Sequence, residues 1–125
     1  MHLQESGQMY LETIFLLSRQ KNVVHSIDVS EHMGYSKPSV SRAISLLRQG
    51  GYVEMAEDGA LTLTDAGREV AEKIYERHTV LTELLVSMGV DRDTAAEDAC
   101  KMEHDISDRS LTAIKGYVDT IRNKK

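Results

Sequence analysis

One cysteine, Cys100, is the only thiol in this chain of 125 residues, so no internal disulfide framework can form, and a reducing cytoplasm is the expected compartment. No apolar run approaches the roughly 18 residues that a membrane-crossing helix needs. The N-terminus, Met1-His2-Leu3-Gln4-Glu5, lacks both the basic start and the apolar stretch of a secretory signal. Internal repeats, low-complexity tracts and flexible linkers are also missing, which argues against a fibrous or disordered chain. What remains is a globular composition, 41% hydrophobic and 28% charged, long enough for one compact unit or two small modules sharing a core.

The net charge is −5, from 15 basic and 20 acidic residues, a balance that opposes non-specific attraction to a phosphate backbone. The distribution says more than the total. From Ser36 to Gly51 the chain carries Lys37, Arg42 and Arg48 and no acid, whereas Asp91, Asp93, Glu97, Asp98, Glu103, Asp105 and Asp108 crowd one later stretch. One segment suits phosphates and the other suits cations.

Leu11, Ile14, Phe15 and Leu17 recur at helical spacing, which predicts a first amphipathic helix over Glu5–Arg19. Lys21-Asn22 ends it. A short second helix is read over Ser26–Met33 with Ser26 as its N-cap, then a tight turn at Gly34-Tyr35. Pro38, favoured in a first helical turn, opens a third helix that runs through Val40, Ile44, Leu46 and Leu47 to Gly50-Gly51. The period then changes: Tyr52–Met55 and Ala60–Leu63 flank Glu57-Asp58-Gly59 as a hairpin. Thr64 or Asp65 caps a long helix from about Ala66 to Met88, ended by Gly89, and Asp91–His104 and Ser107–Arg122 supply two more. The expected fold is mainly α: an N-terminal winged helix-turn-helix over 1–70, then an all-helical domain over 71–125.

A helix that reads DNA carries short polar or cationic side chains near its N-terminus and apolar ones behind. Ser36, Lys37, Pro38, Ser39, Ser41 and Arg42 meet the first condition, and Val40, Ile44 and Leu47 the second. Serine hydroxyls bond phosphates or base edges, Pro38 suits a thymine methyl, and Arg42 suits bidentate contact with guanine. The hairpin tip is acidic, so the wing is a poor phosphate ligand.

Cys100, Glu103 and His104 stand at i, i+3 and i+4, which stacks a thiolate, a carboxylate and an imidazole on one helical face. All three are ligands for divalent transition metals. Further candidates are His78 on the long helix and, at i and i+3 on the first, Met9 and Glu12. Taken singly, each has an ordinary structural role; the C-x-x-E-H pattern together with these partners points to a metal. His2, His25 and His32 follow no such pattern.

On these residues the chain resembles the metal-dependent repressors typified by the diphtheria toxin repressor and the manganese transport regulator. The resemblance covers nearly the whole chain: Met9–Glu12, Ser36–Ser41, Leu63–Gly67, the pair Arg77-His78, and above all Asp98–His104. It implies a homodimer whose N-terminal halves bind palindromic operator DNA, with metal ligands from the first, fourth and fifth helices. Met9, Cys100, Glu103 and His104 match the primary site of the iron-responsive branch. Glu12 and His78 fall where the manganese branch has ligands, but that branch has carboxylates where this chain has Met9 and Cys100. The iron branch's ancillary site departs here, with Thr82 and Ala96 in its positions and Glu83 or Glu97 as substitutes. The SH3-like C-terminal domain of longer members is expected to be absent. Sulfur ligands favour iron(II), with manganese second and cobalt, nickel or zinc also possible.

The implied function is a metal-activated repressor controlling metal homeostasis genes, with no membrane partner and no enzymatic activity. The competing readings are a winged-helix regulator that answers a small molecule, a structural zinc site, and a cysteine–histidine or metal-dependent enzyme. Against the enzyme, no third group orients the histidine and no Gly-rich loop adjoins it. If Arg42 reads a base, Arg42→Ala relaxes sequence preference by ~1–3 kcal/mol at one position, while Lys37→Ala weakens all duplexes alike. Affinities for selected and scrambled duplexes measured side by side check both.

Overall fold

The computed structural model describes residues 5–123; Met1–Gln4, where a targeting signal was sought, lie outside them. The order of elements is α1 (Glu5–Gln20), α2 (Ser26–Met33), α3 (Lys37–Gln49), β1 (Val53–Met55), β2 (Leu61–Leu63), α4 (Asp65–Ser87), α5 (Arg92–Met102) and α6 (Asp108–Asn123). The described residues form a mainly α protein of two compact units that divide between Glu72 and Lys73, within α4. None of these helices is long and apolar enough to cross a membrane.

The N-terminal unit is built on the apolar stripe of α1. Tyr10, Leu11, Ile14 and Leu17 bury against Val29 of α2, Val40, Ile44 and Leu47 of α3, and Val24, Val53, Leu61 and Ala71. Each large aliphatic side chain so buried stabilises by ~1.5–3 kcal/mol relative to exposure. Between α2 and α3 the backbone reverses at Gly34, whose φ of 74° is open to glycine at little cost. Its N–H donates to the Ser30 carbonyl at 2.9 Å. Ser36 caps α3 by accepting from the Ser39 N–H at 3.3 Å, and Pro38 sits in the first turn. β1 and β2 pair antiparallel with Val53 opposite Leu63 and Met55 opposite Leu61, and Val24 adds an isolated bridge to Leu61. Helix, turn, helix and wing are thus all present.

Three local expectations change. The N-cap of α2 is His25, not Ser26: the Asp28 carboxylate accepts from the His25 N–H at 2.8 Å and pairs with Lys21 at 2.5 Å, so Ser26 becomes the first helical residue. β1 begins at Val53, because the Tyr52 N–H donates to the Leu47 carbonyl at 2.9 Å, and β2 begins at Leu61. Leu46, outside the Val40–Ile44–Leu47 stripe at 3.6 residues per turn, is 63% exposed, as the helical phase expects. Finally, α5 ends at Met102, leaving Glu103 as its C-cap and His104 in the turn beyond.

Thr64 caps α4: its Oγ1 accepts from the Gly67 N–H at 3.1 Å and donates to the Gly51 carbonyl at 2.6 Å. The first turn of α4 thereby crosses the backbone entering β1, and a Cβ on Gly67 would stand 2.0 Å from the Tyr52 carbonyl oxygen. In the C-terminal unit, Val80, Leu81, Ala99, Leu111 and Val118 form the core, with Leu84, Ile106 and Ile114 packed against it. Gly67→Ala is expected to destabilise by about 2 kcal/mol or more despite alanine's better helix propensity, because backbone must shift. Gly116→Ala, where an added Cβ meets nothing within 4 Å, is expected to stabilise by about 0.5–1 kcal/mol. Urea unfolding of the two variants and the parent gives the comparison.

Candidate metal centre and nucleic-acid interface

The C-terminal unit brings three of the expected donors together. The Glu103 side chain is fully buried. Its Oε2 lies 3.1 Å from His78 Nδ1, reached from α4, and its Oε1 lies 3.4 Å from His104 Nε2. The His78 side chain is 29% exposed and that of His104 is 2% exposed. Oε1 makes no hydrogen bond among the described residues. Burying a carboxylate costs several kcal/mol unless positive charge or donors compensate it.

A dication fits this arrangement. Atoms each bound at about 2.1 Å to one ion stand about 3.0–3.4 Å apart along the edge of an octahedron or tetrahedron, which matches the 3.1 Å between His78 Nδ1 and Glu103 Oε2, while His104 stands against the other carboxylate oxygen. Carboxylate and imidazole are borderline-to-hard donors that accept iron, manganese, cobalt, nickel or zinc. Cys100 lies one turn earlier on α5 and is half-buried. Met9 and Glu12 belong to the N-terminal unit, on α1: Met9 is half-buried and Glu12 buried.

Arg77 is the functional residue that sequence reasoning named without giving it work. It is buried on α4, donates to the carbonyl oxygens of Glu103 at 2.9 Å and Ile106 at 2.7 Å, and pairs with the Asp108 carboxylate. Lys73 joins Asp108 at 3.3 Å. These bonds hold the turn that carries Glu103 and His104, so Arg77 is a positioning residue. Its signal was its phase: three residues after Ile74 and four before Leu81, both buried, an arginine must find partners.

The six residues chosen for reading DNA are all exposed: Ser36, Lys37, Pro38, Ser39, Ser41 and Arg42. Val40, Ile44 and Leu47 behind them are buried. Glu57 and Asp58 at the wing tip are exposed acids, and Asp58 is occupied in accepting from the Ala60 N–H at 3.0 Å.

The hydrogen bond from Arg77, supported by Lys73, holds the Asp108 carboxyl below its ordinary value. A depressed folded-state value means stability that is complete above the unfolded carboxyl value, about 3.9, and lost as pH falls through the folded one. Asp108→Asn is therefore expected to flatten the acid limb of the stability curve below about pH 4, read by thermal unfolding across pH.

Comparison with known proteins agrees with this geometry. Residues 2–61 match the family model described as iron dependent repressor, N-terminal DNA binding domain. Residues 64–124 match that described as iron dependent repressor, metal binding and dimerisation domain. An uncharacterized HTH-type transcriptional regulator of Methanocaldococcus jannaschii is 31% identical over 124 residues, which is 98% of this chain and 99% of that protein. The transcriptional regulator MntR of Escherichia coli O157:H7 is 31% identical over 114 residues, 91% of this chain and 74% of MntR. A solved manganese-dependent transcriptional repressor in complex with manganese superposes with a TM-score of 0.84 at 31% identity, over 90% of this chain. The chain spans about half the length of that structure, 52%. With a wing, a reading helix and a donor cluster in the matched segments, the chain belongs to the iron-dependent repressor family, a family of DNA-binding, metal-dependent transcriptional regulators and not of enzymes.

Proposed function

We propose that this protein is a cytoplasmic repressor of metal homeostasis genes, switched on by a divalent transition metal. The observation that carries the reading is the buried Glu103 carboxylate set between His78 and His104 in a chain of this family. Met9, Glu12 and Cys100 complete the ligand set, so that α1, α4 and α5 all contribute. Sulfur from Met9 and Cys100 places iron(II) first and manganese(II) second among the activating ions.

When bound, the metal supplies positive charge that satisfies Glu103 and Glu12. The chain's own residues do the rest. Arg77 keeps the Glu103–His104 turn in place, and Glu12 and Met9 tie α1 to the ligands of the later helices. Without metal, carboxylate repulsion leaves α1 loosely docked, and the docked state gains population when metal favours it. Two copies related by a two-fold axis then present two α3 helices at the spacing of a palindromic operator. Lys37 holds phosphates, Ser36, Ser39 and Ser41 bond phosphates or base edges, and Pro38 and Arg42 touch bases.

The test is a gel shift on duplexes selected from a random pool, with iron(II), manganese(II) or zinc(II), and with chelator. Metal is expected to tighten binding by ~5–150-fold, iron(II) most effectively, and chelator to reverse it. Cys100→Ala is expected to abolish most of that gain while the circular dichroism spectrum stays that of the parent. Binding that ignores chelator would overturn the metal switch. Unfolding on chelation would make the site structural instead, and manganese outperforming iron would reverse the proposed order.

A further inference from the structure

We infer that the ring contact between Tyr10 and Tyr35 positions the recognition helix and transmits the state of α1 to it. The inference rests on the metal-switch reading above and names the residues through which it acts within the N-terminal unit. Tyr10 is 5% exposed and follows Met9 directly on α1; Tyr35 is 46% exposed and directly precedes Ser36, the N-cap of α3. Their ring centroids are 6.1 Å apart at an interplanar angle of 53°, within the roughly 4.5–7 Å range of directional aromatic pairs.

The backbone around Tyr35 has little freedom. Gly34 fixes the end of α2, and the Ser30 hydroxyl donates to the Tyr35 carbonyl at 2.6 Å. The side chain is the remaining handle, and it rests on α1. Tyr10 shares its buried cluster with Leu11, Ile14, Val40 and Ile44, and the attraction among the aliphatic members of that cluster has no direction. A tilted aromatic pair does have one, so a shift or rotation of α1 at Met9–Glu12 moves the first turn of α3, where Ser36, Lys37 and Pro38 sit. Tyr10 is buried while nearly half of Tyr35 stays in water, so Tyr35 reaches from the surface onto a core residue of α1.

The experiment measures operator affinity of the full chain with saturating manganese(II) and with chelator, and takes the ratio as the coupling factor. Metal affinity without DNA is measured in parallel by competition with a fluorescent chelator. Tyr35→Ala is expected to lower the coupling factor by about 2- to 30-fold, with metal affinity in the absence of DNA and the far-ultraviolet spectrum unchanged. Tyr35→Phe, which keeps the ring, is expected to retain the parent factor. If Tyr35 touches DNA directly and nothing more, both affinities fall together and the ratio holds, which overturns the inference. An unchanged ratio with unchanged affinities overturns it equally. A parent protein with no metal dependence would sink the regulatory reading itself, a result visible before any variant is made.

Discussion

A carboxylate with no access to water governs the C-terminal unit. Glu103 is fully buried between two imidazoles, and an ionised carboxylate there is tolerable only against positive charge or well-placed donors. The surrounding architecture serves that requirement. α5 stops at Met102 so that Glu103 and His104 can occupy a turn, and Arg77 reaches from α4 to bind the carbonyls of Glu103 and Ile106. Had α5 continued as a regular helix, the Glu103 carbonyl would have been available to its own helix instead. The arginine thus exchanges intrahelical bonding for a fixed bend in which Glu103 meets His78 through Oε2 and His104 through Oε1.

The N-terminal unit depends on a different constraint, the close crossing of α4's first turn over the chain entering β1. The Thr64 hydroxyl joins Gly51 to the Gly67 N–H, and the missing side chain of Gly67 lets backbone pass backbone. This crossing places the wing beside α3 while the polar residues of α3 stay exposed. The separation of charge along the chain then acquires a purpose. Cationic Lys37 and Arg42 are exposed on α3, and the acidic stretch from Asp91 to Asp108 contains the buried Glu103 carboxylate. An overall charge of −5 is compatible with DNA binding when the basic groups are concentrated on one element.

Much of the fold was legible in the residues. The stripes of α1, α3 and α4, the proline-started α3, the Gly59 hairpin and the Thr64 cap are local patterns that sequence reports directly, because period and capping chemistry act over a few residues. The candidate donors were legible for the same reason, since Cys100, Glu103, His104 and His78 carry recognisable chemistry, and the contacts of Glu103 with His78 and His104 were not. Boundaries were less so. Ser26 has the better capping side chain, yet Asp28 and Lys21 make His25 the cap, an outcome set by a bond three residues away and an ion pair seven away.

By itself, the sequence determined the element types, the exposed reading face and the list of metal-capable side chains, because each depends on local period and on side-chain chemistry. Only the tertiary structure decided that Glu103 would be fully buried, that Arg77 would hold its turn, that Gly67 would admit a crossing backbone and that Tyr10 would meet Tyr35. Those four depend on groups 15 to 31 positions apart in the chain, brought together by packing. No local period encodes such meetings; they follow from packing and from the tendency of buried polar groups to find partners.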